Sequence, residues 1–332
     1  MAYLKALTYY TPDVVVDNET LQACLPNCDV AKIAKGVGVE QRHIAGDGVT
    51  AGDMATEAAR KMFVEYNVSP SDIDFIIFST QSPDHFLPPT ACLIQDRLGI
   101  PNSAGAFDYD LGCSGYVYGL GIAKSFVDSG FAKNVLLLTG DTITKYMHPD
   151  DNNRVLFGEA ASASLISSDG FAEIGNFELG TDGRGAGTLI VRNRATRSLK
   201  LTGREEIDAE GNVRRDDYFY MDGESVFNFT IDRVPDLVNK TLEKNNLTKD
   251  DLDYVVFHQA NKFMLNTLRK ICLIPKEKYF VDIQNTGNTT SSTVPIGLKE
   301  SITRGNIKSG DKVLVAGFGV GLSWAGTILK FK

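Results

Sequence analysis

The chain reads as an α/β protein made of two related halves, and three observations predict this. Short apolar runs, among them Phe75-Ile76-Ile77-Phe78, Val135-Leu136-Leu137-Leu138, Tyr254-Val255-Val256-Phe257 and Val313-Leu314-Val315-Ala316, have the length of buried strands. Between them the period turns helical: Tyr116, Leu120, Ala123 and Val127 recur at spacings of four, three and four. Strands alternating with helices imply parallel or mixed sheets. The chain also repeats itself. Asn67-Val68-Ser69-Pro70-Ser71-Asp72-Ile73-Asp74-Phe75-Ile76-Ile77-Phe78 matches Asn246-Leu247-Thr248-Lys249-Asp250-Asp251-Leu252-Asp253-Tyr254-Val255-Val256-Phe257, and Lys133 to Gly140 matches Asp311 to Phe318. Both pairs are offset by about 180 residues, so each half has the size of one domain. We place the halves at residues 1–172 and 173–332.

Composition sets the bounds. At 332 residues the chain exceeds what one hydrophobic core serves. Lys plus Arg number 34 against 42 Asp plus Glu, a net charge of −8 that provides no global field for nucleic acid. No apolar stretch approaches the roughly eighteen residues of a membrane span. The N-terminal Met1 to Tyr10 lacks the apolar core and cleavage site of a signal peptide. The five cysteines, Cys24, Cys28, Cys92, Cys113 and Cys272, are odd in number and scattered, unlike a disulfide framework. Cys24 and Cys28 have loose metal-like spacing, but no second Cys or His pair follows, so no metal is expected. A reducing cytoplasm fits this usage.

Taken in order, the elements each have a local reason. His85, next to Phe86-Leu87-Pro88-Pro89, reads as a structural histidine of a loop. Phe107-Asp108-Tyr109-Asp110 is a strand leading into Leu111-Gly112-Cys113-Ser114-Gly115, a turn before the Tyr116–Val127 helix. Gly119 and Gly121 inside that helix cost about 1 kcal/mol each relative to Ala, which predicts close packing against a neighbouring helix. Arg184, Arg192, Arg194, Arg197, Lys200 and Arg204 form a basic stretch with no acid until Glu205. It reads either as a solvated hairpin or as a landing strip for a phosphate or an acidic carrier. Asp208-Ala209-Glu210-Gly211-Asn212 reads as a surface turn. Tyr279 to Ile283 is strand-like, and Trp324 to Leu329 is a further strand.

The chemistry lies where strands end. Cys113 leaves its strand through a Gly-Cys-Ser-Gly turn at a helix N-terminus, where partial positive charge and free N–H groups favour thiolate. His258 follows four apolar residues, an odd place for a solvated side chain, and opens His258-Gln259-Ala260-Asn261. Asn288 lies in Asn285-Thr286-Gly287-Asn288-Thr289-Thr290, and the repeat brings it to the same sheet end as Cys113. A thiol, an imidazole and a carboxamide so placed suit a thioester. His43, His85 and His148 lack the strand-end setting and read as loop or interface residues. Gly317-Phe318-Gly319-Val320-Gly321 lacks the spacing and following helix of a dinucleotide loop, and instead offers backbone N–H groups to an oxyanion.

Together these residues resemble the β-ketoacyl-acyl-carrier-protein synthase III family of the thiolase superfamily, over nearly the whole chain. The resemblance is specific at Gly-Cys113-Ser-Gly, His258-Gln-Ala-Asn261, Gly287-Asn288-Thr289 and Phe318-Gly-Val-Gly-Leu-Ser-Trp324. It implies a five-layered αβαβα fold and a homodimer. It implies that Cys113 becomes acylated, with the N–H groups of Cys113 and Val320 as oxyanion hole. His258 and Asn288 would then stabilise the enolate of a malonyl-carrier thioester as carbon dioxide leaves. No bound cofactor is implied; the substrates are phosphopantetheine thioesters, acyl-CoA or acyl-carrier protein. An acyl carrier protein would dock around Gln259, Ala260, Asn261, Lys262 and Phe263, with Arg269 and Lys270 beyond. Leu87 and Phe318 would bound the acyl pocket, Leu87 from the partner subunit.

Some positions depart from the family. Lys32 and Asp151 stand where fatty-acid members place a Trp and an Arg around the CoA adenine, with Arg154 three residues away. Phe263 and Asn228 stand at basic carrier-docking positions. Transfer of the acyl group to an alcohol, amine or secondary-metabolite acceptor is the alternative within the superfamily, and the intact Asn288 favours malonate. A papain-like Cys-His-Asn hydrolase is opposed by the duplication and by the position of the Cys. A biosynthetic thiolase would need a second Cys in the Phe318–Gly321 loop, and a dead scaffold would have lost Cys113 or His258.

Overall fold

The computed structural model describes residues 1–207 and 213–332. The first half runs Tyr3–Tyr10 (β1), Val14–Asp17 (β2), Asn18–Cys24 (α1), Val30–Val37 (α2), Gln41–Ile44 (β3), Ala51–Glu65 (α3), Phe75–Ser79 (β4), Thr90–Leu98 (α4), Gly105–Tyr109 (β5), Gly115–Asp128 (α5), Asn134–Asp141 (β6) and Ala160–Ser167 (β7). The second runs Ala172–Thr181 (β8), Leu189–Val191 (β9), Glu205–Ile207 (β10), Val213–Arg215 (β11), Phe219–Met221 (β12), Gly223–Lys244 (α6), Tyr254–Phe257 (β13), Lys262–Ile271 (α7), Thr293–Thr303 (α8), Lys312–Gly319 (β14) and Ser323–Phe331 (β15).

The long strands order as β5-β4-β6-β7-β1 and β8-β15-β14-β13, joined where Tyr3 and Leu4 of β1 pair with Glu173 and Ala172 of β8. Read outward from that seam, the two arrays match: antiparallel pairs first, then the parallel pairs β6–β4 and β14–β13. The expected strand Tyr279–Ile283 completes the symmetry only in outline. It runs parallel to β13 through a single bridge, Val255 to Tyr279, and forms no regular ladder. Its side chains divide among cores instead: Phe280 packs with Val294 and Leu298 of α8, while Tyr279 joins the α6–α7 core.

The internal repeat extends to individual hydrogen bonds. Asn67 and Asn246 both adopt a left-handed conformation, with φ 51° and 54°. Short, polar Asn tolerates that region better than other non-glycine residues. Capping boxes follow at Ser69–Asp72 and Thr248–Asp251. The next acid then holds the start of a neighbouring strand: Asp74 Oδ2 accepts from Asn134 N and Asp253 Oδ2 from Lys312 N, each at 2.8 Å.

Three cores set the layers. α3 and α4 cover the outer face of the first array, around Met54, Met62, Ile94 and Phe78. α6 and α7 cover the outer face of the second, around Leu237, Leu242, Leu265 and Phe257. Between the arrays lie α5 and α8, with Tyr116, Leu120, Val294 and Leu298 packed on Ile77, Leu137, Val256 and Val315. The result is the five-layered αβαβα arrangement, with α5 and α8 central. The two glycines of α5 do not face a helix, as the sequence led us to expect. A Cβ on Gly119 would collide with Tyr109 and Leu137 of the adjoining strands, and one on Gly121 would rest 3.5 Å from Phe177.

Within the basic stretch only Leu189–Val191 is strand, β9 pairing with β12, and its basic side chains come from turns, short 3-10 segments and irregular chain before the β10–β11 pair. Three of its six basic side chains pair with carboxylates among the described residues. Arg184 pairs with Asp182 at 2.6 Å, Arg192 with buried Asp216 at 3.4 Å, and Arg204 with Glu206 and Asp216. Arg194 donates to the Asp217 carbonyl at 3.1 Å. Arg184, Arg194, Arg197, Lys200 and Arg204 are exposed and Arg192 is half-buried, so the stretch is a solvated surface segment. The expected turn Asp208–Asn212 lies outside the described residues. Among the described residues, no helix is long and apolar enough to cross a membrane, and no three His, Cys, Asp or Glu cluster as metal ligands.

Candidate active site

Cys113 lies in the turn between β5 and α5, closed by a hydrogen bond from Gly115 N to Gly112 O at 2.7 Å. The helix starts at Gly115, so the thiol precedes its first turn. That position does not make it acidic. Burial pushes the Cys113 thiol up to about 11, and the opposing N–H groups of Val320 and of Cys113 itself do not outweigh it. The expectation of a resting thiolate is therefore corrected: low-dielectric surroundings disfavour the charge more than the two donors favour it. The same two N–H groups are the pair expected to line an oxyanion hole. Val320 reaches the sulfur because Gly319 precedes it; a Cβ there would stand 2.7 Å from Cys113 Sγ.

His258 continues the β13–β14 ladder, its N–H donating to Ala316 O at 2.8 Å. The ring is buried, edge-on to Phe318 at 5.9 Å between centroids, and its Nδ1 lies 2.6 Å from Thr293 Oγ1. Burial lowers its pKa to about 3, so the imidazole is neutral at pH 7. Asn288 is fixed through its backbone. Its N–H donates to Leu156 O at 2.9 Å and its carbonyl accepts from Gly158 N at 3.1 Å. Its Oδ1 accepts from Thr290 N at 2.9 Å, and Nδ2 donates one N–H to Ala260 O at 3.4 Å, which leaves its second N–H for the pocket.

Cys113, His258, Asn288 and Phe318 share one pocket, and its remaining walls are mostly apolar: Leu156 and Phe157 from the first half, Leu189, Met221, Val226 and Met264 from the second. Sequence reasoning did not single out those six. They lie on short strands, on helix faces and, for Leu156 and Phe157, in the turn after Val155, where nothing but tertiary contact marks them.

Other expected residues fall differently. Leu87 is 81% exposed and outside this pocket, as is its neighbour Phe86. Gln259 offers nothing to a docking partner: it is buried, with Nε2 donating to Phe257 O and Oε1 accepting from Asp282 N. Ala260 and Asn261 line the pocket mouth, Asn261 also capping α7 through Met264 N. Lys262 and Lys270 are exposed on α7, and exposed Phe263 stacks on Phe227 at 5.5 Å. Arg269 turns back to cap its own chain at Ile274 O, 3.0 Å away. Asp151 is partly buried, and its carboxylate caps Asn153 N at 2.8 Å; burial raises its pKa. His43 bonds Pro12 O, His148 packs edge-on to Tyr218, and His85 is exposed.

A thiol, a neutral imidazole and an oriented carboxamide, meeting where two duplicated α/β halves join, define a thiolase-like condensing enzyme. Residues 107–183 match the family model described as 3-Oxoacyl-[acyl-carrier-protein (ACP)] synthase III, and residues 242–331 match its C-terminal counterpart. The chain belongs to the β-ketoacyl-[acyl-carrier-protein] synthase III family. A protein of that name from Clostridium perfringens is 36% identical over 97% of this chain and 96% of its own. One from Caldanaerobacter subterraneus is 34% identical over 97% and 95%. A crystal structure of a 3-oxoacyl-(acyl-carrier-protein) synthase III superposes with TM-score 0.95 at 44% identity, covering 99% of both chains. The chain is thus an acyltransferase, and its reaction is the decarboxylative Claisen condensation of an acyl thioester with malonyl-acyl-carrier protein.

Proposed function

We propose that Cys113 is the nucleophile and that His258 and Asn288 carry the decarboxylation. The observation that carries this reading is the convergence of all three on one apolar pocket, with the Val320 N–H at the Cys113 sulfur. Cys113 attacks the donor thioester, its proton leaving with the departing thiol, and the N–H groups of Cys113 and Val320 hold the tetrahedral oxyanion. Malonyl-carrier thioester then enters the same pocket. As its C–C bond to carboxylate breaks, the electron pair moves onto the thioester oxygen, where Asn288 Nδ2 and the outer nitrogen of His258 donate. The resulting carbanion attacks the acyl carbon on Cys113, and the thiolate leaves. An acceptor alcohol or amine would not need these enolate donors.

The functional halves are proposed as residues 1–172 and 173–332. Cys113 comes from the first, His258, Asn288 and Val320 from the second. We place the enzyme in the cytoplasm, which all five cysteines being free supports. The carrier protein is proposed to approach over α7, where Lys262, Phe263 and Lys270 are exposed beside the pocket mouth.

The working form is proposed as a homodimer. Phe86 and Leu87 are large, apolar and 85% and 81% exposed on one loop, a patch that a second copy would cover. Leu87 would then close the partner's acyl pocket. Leu87→Gly is expected to lengthen the accepted acyl chain and Leu87→Trp to shorten it. Unchanged chain-length profiles in both variants, or a monomer by light scattering, would refute this.

The donor is proposed to be carrier-bound or otherwise held without an adenine clamp, since Lys32 is exposed and Asp151 is a capping carboxyl. Loss of an aromatic–guanidinium clamp costs on the order of 1–3 kcal/mol, or one to two decades in KM. Intact-mass kinetics of Cys113 acylation with acetyl-CoA and with acyl-carrier protein tests donor and nucleophile together. Carrier thioesters are expected to react at lower concentration. Efficient acylation by micromolar acetyl-CoA, with carrier thioesters no better, would overturn the donor assignment.

A further inference from the structure

The imidazole of His258 is buried and neutral, so it carries one ring proton. The enolate role proposed above requires that proton on Nε2, because Nδ1 faces Thr293. The tautomer is therefore set by whatever meets Nδ1. Thr293 Oγ1 lies 2.6 Å from Nδ1 and 3.0 Å from the Thr290 carbonyl. A hydroxyl has one proton to give. Donated to Nδ1, it leaves Nε2 protonated and facing the substrate. Donated to Thr290 O, it makes Thr293 the acceptor of an Nδ1–H and leaves Nε2 bare.

Thr290 is itself held from the other half of the molecule. Its hydroxyl donates to Asp141 Oδ2, and the Ser291 hydroxyl donates to the same oxygen at 2.8 Å. Asp141 is fully buried at the end of β6, and its Oδ1 accepts from Gln81 N at 2.6 Å. The Thr290 N–H also orients Asn288 through Oδ1. One buried carboxylate thus fixes the residue whose N–H aims the carboxamide and whose carbonyl competes for the Thr293 proton.

We infer that Thr293, the first residue of α8, is a positioning residue that selects the Nε2–H tautomer of His258, and that the turn before it is anchored by Asp141. The inference rests on the enolate role of His258. Thr293→Val removes the donor to Nδ1 and leaves the Thr290 carbonyl as the partner within reach, which favours the wrong tautomer. Malonyl decarboxylation is expected to fall on the order of 10²-fold or more, as when one preorganised donor is lost, with Cys113 acylation unchanged. Thr293→Ser, which keeps the hydroxyl, should restore decarboxylation to within several-fold. Nitrogen-15 shifts of His258 in the parent enzyme at pH 7 should report a protonated Nε2 and a bare Nδ1, a readout independent of any variant's folding. A bare Nε2 in the parent, or parent-rate decarboxylation in Thr293→Val while His258→Ala has lost it, would overturn the assignment. Parent-rate decarboxylation in His258→Ala would instead overturn the enolate role on which it rests.

Discussion

Cys113→Ala is expected to abolish acyl capture and, with it, condensation. The other thiols have no route to the chemistry: Cys24 and Cys92 are exposed elsewhere, and Cys28 and Cys272 are buried in other clusters. Incubation with a donor thioester followed by intact-mass analysis should give one acyl adduct in the parent and none in the variant. A stable adduct mapped to any other cysteine would refute the assignment. The desolvated thiol adds a pH signature. With its pKa at about 11, the thiolate share at pH 7 is on the order of 10⁻⁴. The share rises with pH until about 11, so acylation measured between pH 7 and 9 should accelerate steadily. A flat profile would mean that the thiol is already ionised or that its proton leaves through a neighbour.

His258→Ala and Asn288→Ala should each separate the two half-reactions. Acylation of Cys113 needs only the thiol and the two N–H groups at its sulfur, so both variants should still take up the acyl group. Decarboxylation places charge on a thioester oxygen that these two side chains address. One such donor is worth about 2.7–4 kcal/mol, so malonyl decarboxylation should fall by about 10²–10³ in each variant. Carbon dioxide release from malonyl-carrier protein, measured beside Cys113 acylation, decides the point. Decarboxylation at the parent rate in both variants would remove the assigned roles. The His258 variant should not develop a new acid-side dependence above about pH 5, because the parent ring is already neutral there.

How much of this was legible beforehand follows from how local each signal is. Cys113 and His258 follow the ends of β5 and β13, and a polar residue straight after four apolar ones is visible without coordinates; Asn288 follows a segment that only resembles a strand. The duplication was equally visible, because the same turn chemistry recurs: a left-handed Asn, a capping box, then an acid that pins the neighbouring strand. Asp141 carried a similar mark, an acid closing an apolar strand, yet nothing local tied it to Thr290, 149 residues away.

The sequence by itself therefore determined the α/β class, the two related halves, and Cys113, His258 and Asn288 as the residues to examine. Each depends on periodicity or on neighbours within a few positions. Tertiary structure alone decided the rest. It set the thiol at about 11 rather than below its usual range, because desolvation depends on what surrounds the sulfur and not on the helix that follows it. It paired Arg184, Arg192 and Arg204 of the basic stretch with Asp182, Asp216 and Glu206, turned Arg269 back on its own chain, and buried Gln259. It placed Gly119 against strands instead of a helix. It also put the Thr293 hydroxyl between an imidazole and a carbonyl. Charge neutralisation, desolvation and the sharing of one proton are all fixed by distances across the fold, which a sequence pattern does not contain.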